Sequence, residues 1–176
     1  MEFLEFPKMP RLSREIIVTE KIDGTNAQVA ISEDGQIFAG SRTRWITPDD
    51  DNFGFAAWVR DNKSDLLTLG PGRHFGEWWG SGIQRKYRQS SKRFSLFNVS
   101  RWSDVRPECC DVVPTLYRGE FDQEQINACL DHLRINGSVA APGFLPAEGI
   151  VVFHVAAGIG FKKTIVKDEL PKSLAK

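Results

Sequence analysis

One lysine stands at the end of a predicted strand, where its amine could act as a nucleophile. Lys21 closes a β-forming run over residues 15–21, and an Asp23-Gly24 turn and an apolar run over residues 27–31 follow it. A lysine amine attacks an electrophile once burial or nearby cations free its lone pair. The same pattern also fits a β-hairpin whose Asp-Gly turn merely follows a lysine. Residues 15–31 alone leave both interpretations open.

Other polar residues fall within or beside further β-forming runs. Glu77 lies inside an aromatic strand predicted over residues 73–79, where a buried acid needs a partner. Lys162 and Lys163 are consecutive in a predicted strand, so they point to opposite faces, and the inward one needs an anion. Together with Phe97, Lys21, Asp23, Asn26, Arg42 and Glu148, these residues form a set with three kinds of group. The set contains cations for phosphates, carboxylates for a metal and for ribose hydroxyls, and an aromatic face for a base. It therefore predicts a nucleoside triphosphate site.

A run of cations follows the aromatic strand. Residues 85–93 contain no acid and five basic residues, namely Arg85, Lys86, Arg88, Lys92 and Arg93. Such a run is either a solvated loop or a surface that faces phosphates. The sequence leaves these two interpretations open.

Composition and charge exclude several classes of protein. The chain has 176 residues, enough for one compact domain, and a net charge of +0, which gives no support for a nucleic-acid partner. No apolar run approaches the ~20 residues of a membrane span, and the N-terminus has no apolar signal core. Three cysteines, two of them adjacent, provide neither a disulfide framework nor zinc-site spacing. We therefore predict a cytoplasmic protein without a membrane partner.

The elements that must position these residues follow from periodicity and turn signals. We predict a hairpin over residues 29–39, a helix over residues 53–67 and a helix over residues 121–135. One of Asp50, Asp51 and Asn52 is expected to cap the first helix. Asp122 and Gln125 resemble a capping box for the second. Further strands are predicted over residues 73–79, 93–99, 111–117, 148–153 and 160–166.

Several segments resemble, in order, the motifs of the covalent nucleotidyltransferase superfamily. Within it the chain is most similar to the ATP-dependent RNA ligases of the RNA ligase 2 type, over residues 16–169. Asn26 favours this group, because DNA ligases and capping enzymes usually have arginine there. The matching segments are Lys21-Ile22-Asp23-Gly24-Thr25-Asn26, Ser41-Arg42, Phe75-Gly76-Glu77, Phe94-Ser95-Leu96-Phe97-Asn98, Glu148-Gly149-Ile150-Val151-Val152 and Phe161-Lys162-Lys163.

The resemblance implies a fold and a reaction. The fold would be α+β, a nucleotidyltransferase core of mainly antiparallel β-sheets flanked by helices, as a single domain over residues 1–176 without an additional C-terminal nucleic-acid-binding domain. Lys21 would attack the α-phosphorus of ATP and form a lysyl-AMP. The AMP would pass to an RNA 5′-phosphate, and a 3′-hydroxyl would displace it to seal the strand.

The resemblance also implies roles for individual residues, with ATP and Mg²⁺ or Mn²⁺ as cofactors. Glu148 would hold the metal, with Asp23 contributing through water. Glu77 would bond the ribose, Phe97 would stack on adenine, and Lys162 would contact the α-phosphate. Further nucleotide contacts would come from Glu20, Ile22, Asn26, Arg42 and Lys163, and RNA or phosphate contacts from Arg85, Lys86 and Arg88.

Two features depart from the family pattern. The fifth motif is usually Lys-x-Lys, but Gly160 stands two residues before Lys162, so either Lys163 replaces the missing cation or the phosphate is held more weakly. The chain also ends soon after this motif, so we expect either a minimal ligase or a core that adenylylates itself and needs a protein partner or a separate domain to join RNA ends. We also expect a monomer. Two alternatives stay open: a nucleotidyltransferase of the capping or DNA-ligase type, and a nucleotide- or RNA-binding module that has lost catalysis.

Overall fold

In residues 1–169, which the computed structural model describes, ten strands form two sheets. The four-stranded sheet has the order β10-β9-β1-β8, and the six-stranded sheet has the order β4-β3-β2-β5-β6-β7. All pairings are antiparallel except β6 with β7. The strands are β1 Glu15–Lys21, β2 Thr25–Ile31, β3 Ile37–Ser41, β4 Trp45–Ile46, β5 Gly72–Gly80, β6 Lys92–Leu96, β7 Cys110–Val112, β8 Thr115–Glu120, β9 Gly149–His154 and β10 Ile159–Thr164.

Helices flank the sheets, as expected for the predicted α+β fold. They are α1 Phe55–Asp61, α2 Lys63–Leu66 and α3 Gln123–Asn136. Residues 170–176, the end of the predicted domain, lie outside the described part of the chain. No helix among the described residues is long and apolar enough to cross a bilayer.

The four-stranded sheet packs against α3. The predicted apolar stripe of α3 is buried, with Leu130 and Leu133 packed against Ile16 of β1. Asp122 begins the helix, since its carboxylate accepts hydrogen bonds from the N–H groups of Glu124 and Gln125 at 2.7 and 3.3 Å. This cap satisfies amides that have no partner within the helix. The predicted helix and its capping residue are therefore confirmed.

The six-stranded sheet packs against α1 through an aromatic cluster. The Phe55 ring lies 5.3 Å from Trp78 and 5.1 Å from Phe94, measured between centroids. The prediction of a single helix over residues 53–67 is wrong, because the helix is interrupted at Asn62, which separates α1 from α2. The predicted cap is present in altered form, since the Asp51 carboxylate accepts from the N–H groups of the first turn of α1.

The Asp23-Gly24 turn joins the two sheets instead of closing a hairpin. β1 pairs with β8 and β9, whereas β2 pairs with β3 and β5. The hairpin interpretation of residues 15–31 is therefore wrong, while the hairpin predicted over residues 29–39 is confirmed as β2 and β3. Lys21 consequently lies where the two sheets meet.

Two other predicted strands have different bounds in the structure. Residues 111–117 divide into β7 and β8, which belong to different sheets, and Pro114 lies in the connection. Proline has no N–H to donate to a ladder, which explains the break. β6 ends at Leu96, although the N–H of Phe97 still donates to the Phe75 carbonyl at 2.9 Å.

Gly24 allows the close approach of the two sheets at this turn. A Cβ at this position would lie 2.4 Å from the Trp78 carbonyl oxygen, so the backbone would have to shift. We expect Gly24→Ala to lower the free energy of unfolding by about 1–3 kcal/mol, as overpacking does. The measurement is urea unfolding. Gly160→Ala is the control, because a Cβ there meets nothing nearer than 3.7 Å; equal losses in both variants would contradict the steric explanation.

Candidate functional site

A cleft of about 750 Å³ opens between the two sheets beside Lys21. It is open on one side and bordered by both polar strand ends and aromatic side chains. Seven of the nine residues that were predicted to form the nucleoside triphosphate site line it. Those residues are Lys21, Asp23, Asn26, Arg42, Glu77, Phe97 and Lys162.

Lys21, which lines the cleft, forms an ion pair with Glu148, a predicted site residue that does not itself line the cleft. Lys21 pairs with Gly149 in the β1–β9 ladder, which brings the preceding residue, Glu148, alongside the amine. Lys21 Nζ lies 2.7 Å from Glu148 Oε2, and the side chains are 22% and 7% exposed. The contact is an ion pair without hydrogen-bond geometry, so Oε2 is a buried carboxylate oxygen without a directed donor. The amine is thus held in place but remains accessible from the cleft.

Glu77 faces this pair from the other sheet. It lies on β5 opposite Asn26 of β2, and its Oε1 accepts a hydrogen bond from the Gly24 N–H at 2.9 Å. Burial raises the pKa of Glu77 to about 7, and the positive charge of Lys21 opposes that shift only in part. Near neutral pH this carboxyl therefore exists in both protonation states.

The raised pKa of Glu77 predicts a pH-dependent cost in stability. Between the ordinary pKa of 4.5 and the folded-state pKa of about 7, the folded state binds more protons than the unfolded state. The free energy of unfolding therefore falls as the pH rises across this interval, by up to about 3 kcal/mol. We expect Glu77→Gln, which keeps an acceptor for the Gly24 N–H, to lack this decrease. Urea unfolding of both proteins at several pH values checks it, and parallel pH profiles would contradict it.

Asp23 is already paired within the protein. Arg85 Nε donates to Asp23 Oδ2 at 3.0 Å, and Arg85 Nη1 donates to the Pro146 carbonyl at 2.9 Å. The Asp23 N–H also donates to the Tyr87 hydroxyl at 2.7 Å. Burial raises the pKa of Tyr87, so the phenol stays protonated. These contacts tie the turn after Lys21 to the loop before β9.

The predicted cationic patch is therefore divided. Arg85 binds the Asp23 carboxylate inside the site. Lys86 and Arg88, in contrast, are exposed on a loop and have positive φ angles of 60° and 52°. Arg93, in turn, pairs with Asp111 on the neighbouring strand at 2.7 Å. Only the exposed members of the patch are available to an external phosphate.

The two consecutive lysines of β10 point to opposite faces, as predicted. Lys162 pairs with Val151 in the β9–β10 ladder and lines the cleft. Lys163 Nζ instead donates to Asn127 Oδ1 of α3 at 3.2 Å. The structure thus does not bring Lys163 to the predicted nucleotide site, because strand alternation turns it towards the helix.

The side chains of the two residues that flank Lys21 in the sequence also turn away from the cleft. The buried Glu20 carboxylate accepts from the N–H groups of Val139 and Ala140 at 2.8 and 2.9 Å. Burial raises the pKa of Glu20. Ile22 is buried in a small apolar cluster around Trp79. Neither side chain thus reaches the cleft beside Lys21, although both residues border the more apolar cavity next to it. Their nucleotide contacts stay a prediction.

Val151, Phe75 and Gln28 also line the cleft, although the sequence predicted no role for them. A second, more apolar cavity of about 630 Å³ adjoins the cleft, and the two share Lys21, Asn26, Phe75, Phe97 and Val151. Phe97 and Val151 thus border the junction of the two cavities. Strand alternation along β9 would have indicated Val151, because Ile150 and Val152 face the core.

Only part of the predicted metal site has suitable geometry. Among the described residues, no group of three or more His, Cys, Asp and Glu side chains converges on a point. Mg²⁺ usually binds one or two carboxylates together with substrate phosphates and water. Both candidate carboxylates contact a cation of the protein, since Lys21 Nζ lies 2.7 Å from Glu148 Oε2 and Arg85 Nε lies 3.0 Å from Asp23 Oδ2. Glu148 is the one beside the predicted nucleophile, so it is the carboxylate that fits this pattern better.

The sequence and the fold both match known RNA ligases. The fold is similar to that of two mutants of a Naegleria gruberi RNA ligase. The apo form of one mutant matches with a TM-score of 0.64 and 23% sequence identity, over 86% of this chain and 49% of that chain. Another mutant, with ATP and Mn, matches with a TM-score of 0.63 and 21% sequence identity, over 87% of this chain and 50% of that chain. The chain spans about half the length of these relatives. Among curated proteins, no sequence matches it. The sequence model of the RNA ligase family matches residues 14–167, so the chain belongs to the RNA ligase family.

Proposed function

We propose that this chain is an ATP-dependent RNA ligase of the RNA ligase 2 type that forms a covalent AMP adduct on Lys21. The observation that carries the proposal is the Lys21–Glu148 ion pair of 2.7 Å beside a cleft between two sheets. Glu77 faces that pair from the opposite sheet. The Naegleria relatives solved with ATP and Mn or with AMP and Mn support the choice of nucleotide.

In the first step, Lys21 Nζ attacks the α-phosphorus of ATP. A P–N bond forms, and the bond from the α-phosphorus to the α,β-bridging oxygen breaks, so the β- and γ-phosphates leave together as pyrophosphate. The amine must first lose a proton, which can pass to water because the Lys21 side chain is 22% exposed. Glu148 holds the amine beside the cleft, and Lys162 neutralises charge on the phosphates from β10.

The other wall of the cleft positions the nucleoside. Phe97 and Val151 enclose the base, and Glu77, when ionised, accepts hydrogen bonds from the ribose hydroxyls. Asn26 and Arg42 also line the cleft, where their polar groups would contact the nucleotide. Mg²⁺ or Mn²⁺, held by Glu148 together with the phosphates, would neutralise the charge that develops during phosphoryl transfer. Asp23 would act on that metal only indirectly.

Two further steps would complete ligation. An RNA 5′-phosphate attacks the adduct and takes the AMP, which frees Lys21, and an RNA 3′-hydroxyl then displaces the AMP to form a phosphodiester. Arg42, Lys86 and Arg88 are exposed cations that could receive RNA phosphates. We propose that a protein partner or another domain assists at these steps.

The deciding experiment is covalent labelling with α-labelled ATP or GTP in the presence of Mn²⁺ or Mg²⁺. Label from ATP that resists denaturation supports the proposal. Label preferentially from GTP would indicate a capping-type enzyme, and no label from either nucleotide would indicate a binding module. Sealing assays on nicked RNA duplexes, RNA–DNA hybrids and single strands would then define the polynucleotide substrate.

A further inference from the structure

An exposed aromatic surface continues from the cleft across the six-stranded sheet, away from Lys21. It consists of Phe38 on β3, Trp45 on β4, Arg73 on β5 and Gln28 on β2, and we term it the Trp45 platform. The rings of Phe38 and Trp45 lie 5.8 Å apart and are 45% and 48% exposed. No role in the first chemical step requires these side chains, so the surface needs a separate explanation.

The register of the strands connects the platform to the cleft. Gly40 pairs with Trp45 on one side and with Gln28 on the other, and Gln28 pairs with Phe75. Along β2, Gln28 is two residues from Asn26, which pairs with Glu77. Two residues of strand span about 7 Å, so Gln28 and its paired residues lie directly beside the Asn26–Glu77 pair. A chain that leaves the cleft over Gln28 and Phe75, both of which line it, therefore passes directly onto the platform.

The platform is ordered by its own contacts. Arg73 Nη1 donates to Gln28 Oε1 at 3.1 Å, and the guanidinium lies 5.2 Å from the centroid of the Trp45 ring. Gly40 makes room for Gln28, because a Cβ there would lie 2.7 Å from Gln28 Cγ. The aromatic and cationic groups are thus presented in one arrangement before any ligand binds, which reduces the entropy lost on binding.

Charge identifies the class of ligand. Arg44 is neutralised by Asp50, but within residues 1–169 neither Arg73 nor Arg42 forms an ion pair. Exposed rings beside unpaired arginines suit a ligand with planar groups on an anionic backbone. Single-stranded nucleic acid has both, because bases stack on aromatic rings and phosphates bind cations.

We propose that the Trp45 platform binds the single-stranded RNA that leads away from the cleft. Bases stack on Trp45 and Phe38, and the phosphates lie against Arg73 and Arg42. The platform would hold an RNA strand while its end reaches Lys21-bound AMP. This inference rests on the proposed function for the identity of the polynucleotide.

The test measures RNA binding apart from chemistry. A fluorescently labelled single-stranded RNA with a 5′-hydroxyl cannot be ligated, and its affinity for the full chain is measured by anisotropy. We expect Trp45→Ala to weaken binding about 5- to 100-fold, the usual effect of losing one stacked base. Trp45→Phe should retain most of the affinity. Phe161→Ala, which removes an exposed ring on β10, should bind as the unmodified chain does.

Labelling by ATP without RNA separates this inference from the proposed function. All three variants should form the AMP adduct at the unmodified rate; if the unmodified chain forms none, the proposed function fails. If the adduct forms but Trp45→Ala binds RNA with unchanged affinity, the platform is overturned. A changed oligomeric state with unchanged RNA affinity would likewise overturn it and assign the surface to contact between copies.

A second variant covers the case in which Trp45→Ala melts at a lower temperature. Arg73→Gln keeps a long polar side chain but removes the charge. We expect weaker RNA binding and a shallower dependence of affinity on salt, by about one released counterion. If the affinity and the salt dependence both equal those of the unmodified chain, the platform does not bind the RNA backbone.

Discussion

Replacement of Lys21 by alanine is expected to abolish covalent labelling of the chain by ATP. The adduct needs a nucleophile at the base of the cleft, and the only strand-borne amine seen there besides Lys21 among the described residues is that of Lys162 on β10. Lys162 pairs with Val151 in the β9–β10 ladder. In contrast, it is Lys21 whose Nζ lies 2.7 Å from Glu148 Oε2. Labelled ATP followed by denaturing electrophoresis measures the loss, which should reach the level of the reaction without protein.

Two variants separate the loss of the nucleophile from the loss of the ion pair. Lys21→Arg keeps a cation beside Glu148, but a guanidinium stays protonated and does not attack phosphorus. It should fold normally and remain unlabelled. Lys63→Ala, which removes an exposed lysine at the start of α2, should be labelled as the unmodified chain is. Normal labelling of Lys21→Ala would show that another residue carries the AMP.

Replacement of Glu148 by glutamine is expected to lower the rate of adduct formation at least about 100-fold. The Glu148 side chain is 7% exposed and contacts the Lys21 amine, so in the proposed mechanism it holds the nucleophile and would supply a carboxylate to a divalent cation. Glutamine keeps the shape but removes the charge on which both effects depend. The measurement is single-turnover labelling with ATP at several Mn²⁺ concentrations, and half-maximal labelling should move to higher Mn²⁺.

The control for this variant is Glu120→Gln. Glu120 is an exposed acid on β8, and its replacement changes the net charge equally without touching the cleft. It should be labelled at the unmodified rate. If Glu148→Gln is labelled as fast as Glu120→Gln with the same Mn²⁺ dependence, Glu148 neither binds the metal nor positions Lys21.

Burial of charge is a recurring property of this site. Glu20, Glu77 and Glu148 are all buried near Lys21, and each is held by a different partner. Glu20 accepts from two main-chain N–H groups, Glu77 from one, and Glu148 contacts the lysine amine. Such an arrangement reduces stability, as expected for a site in which charged groups are kept ready for a charged ligand.

Local signals in the sequence predicted several features that the structure confirms. The apolar stripe and the Asp122 cap of α3 follow from helical periodicity and capping chemistry. The opposite directions of Lys162 and Lys163 follow from strand alternation. Each of these depends on residues within a few positions of one another, which is why the sequence alone was sufficient.

Features that depend on distant partners were not predictable in this way. Residues 111–117 read as one strand, but their two halves pair with β6 in one sheet and β1 in the other. Asp23 read as a metal-associated carboxylate, but Arg85, 62 residues later, binds it. No local pattern specifies which remote segment will lie against a given face.

The sequence by itself predicted Lys21 as the nucleophile and determined its local setting, because the segment from Lys21 to Asn26 covers only the end of β1, the turn and the start of β2. The tertiary structure decided that this turn joins two sheets, that Lys162 and not Lys163 reaches the cleft, and that Glu20 and Ile22 turn away. The physical reason is that alternation assigns neighbours to opposite faces, whereas only the packing of the sheets decides which face borders the cleft.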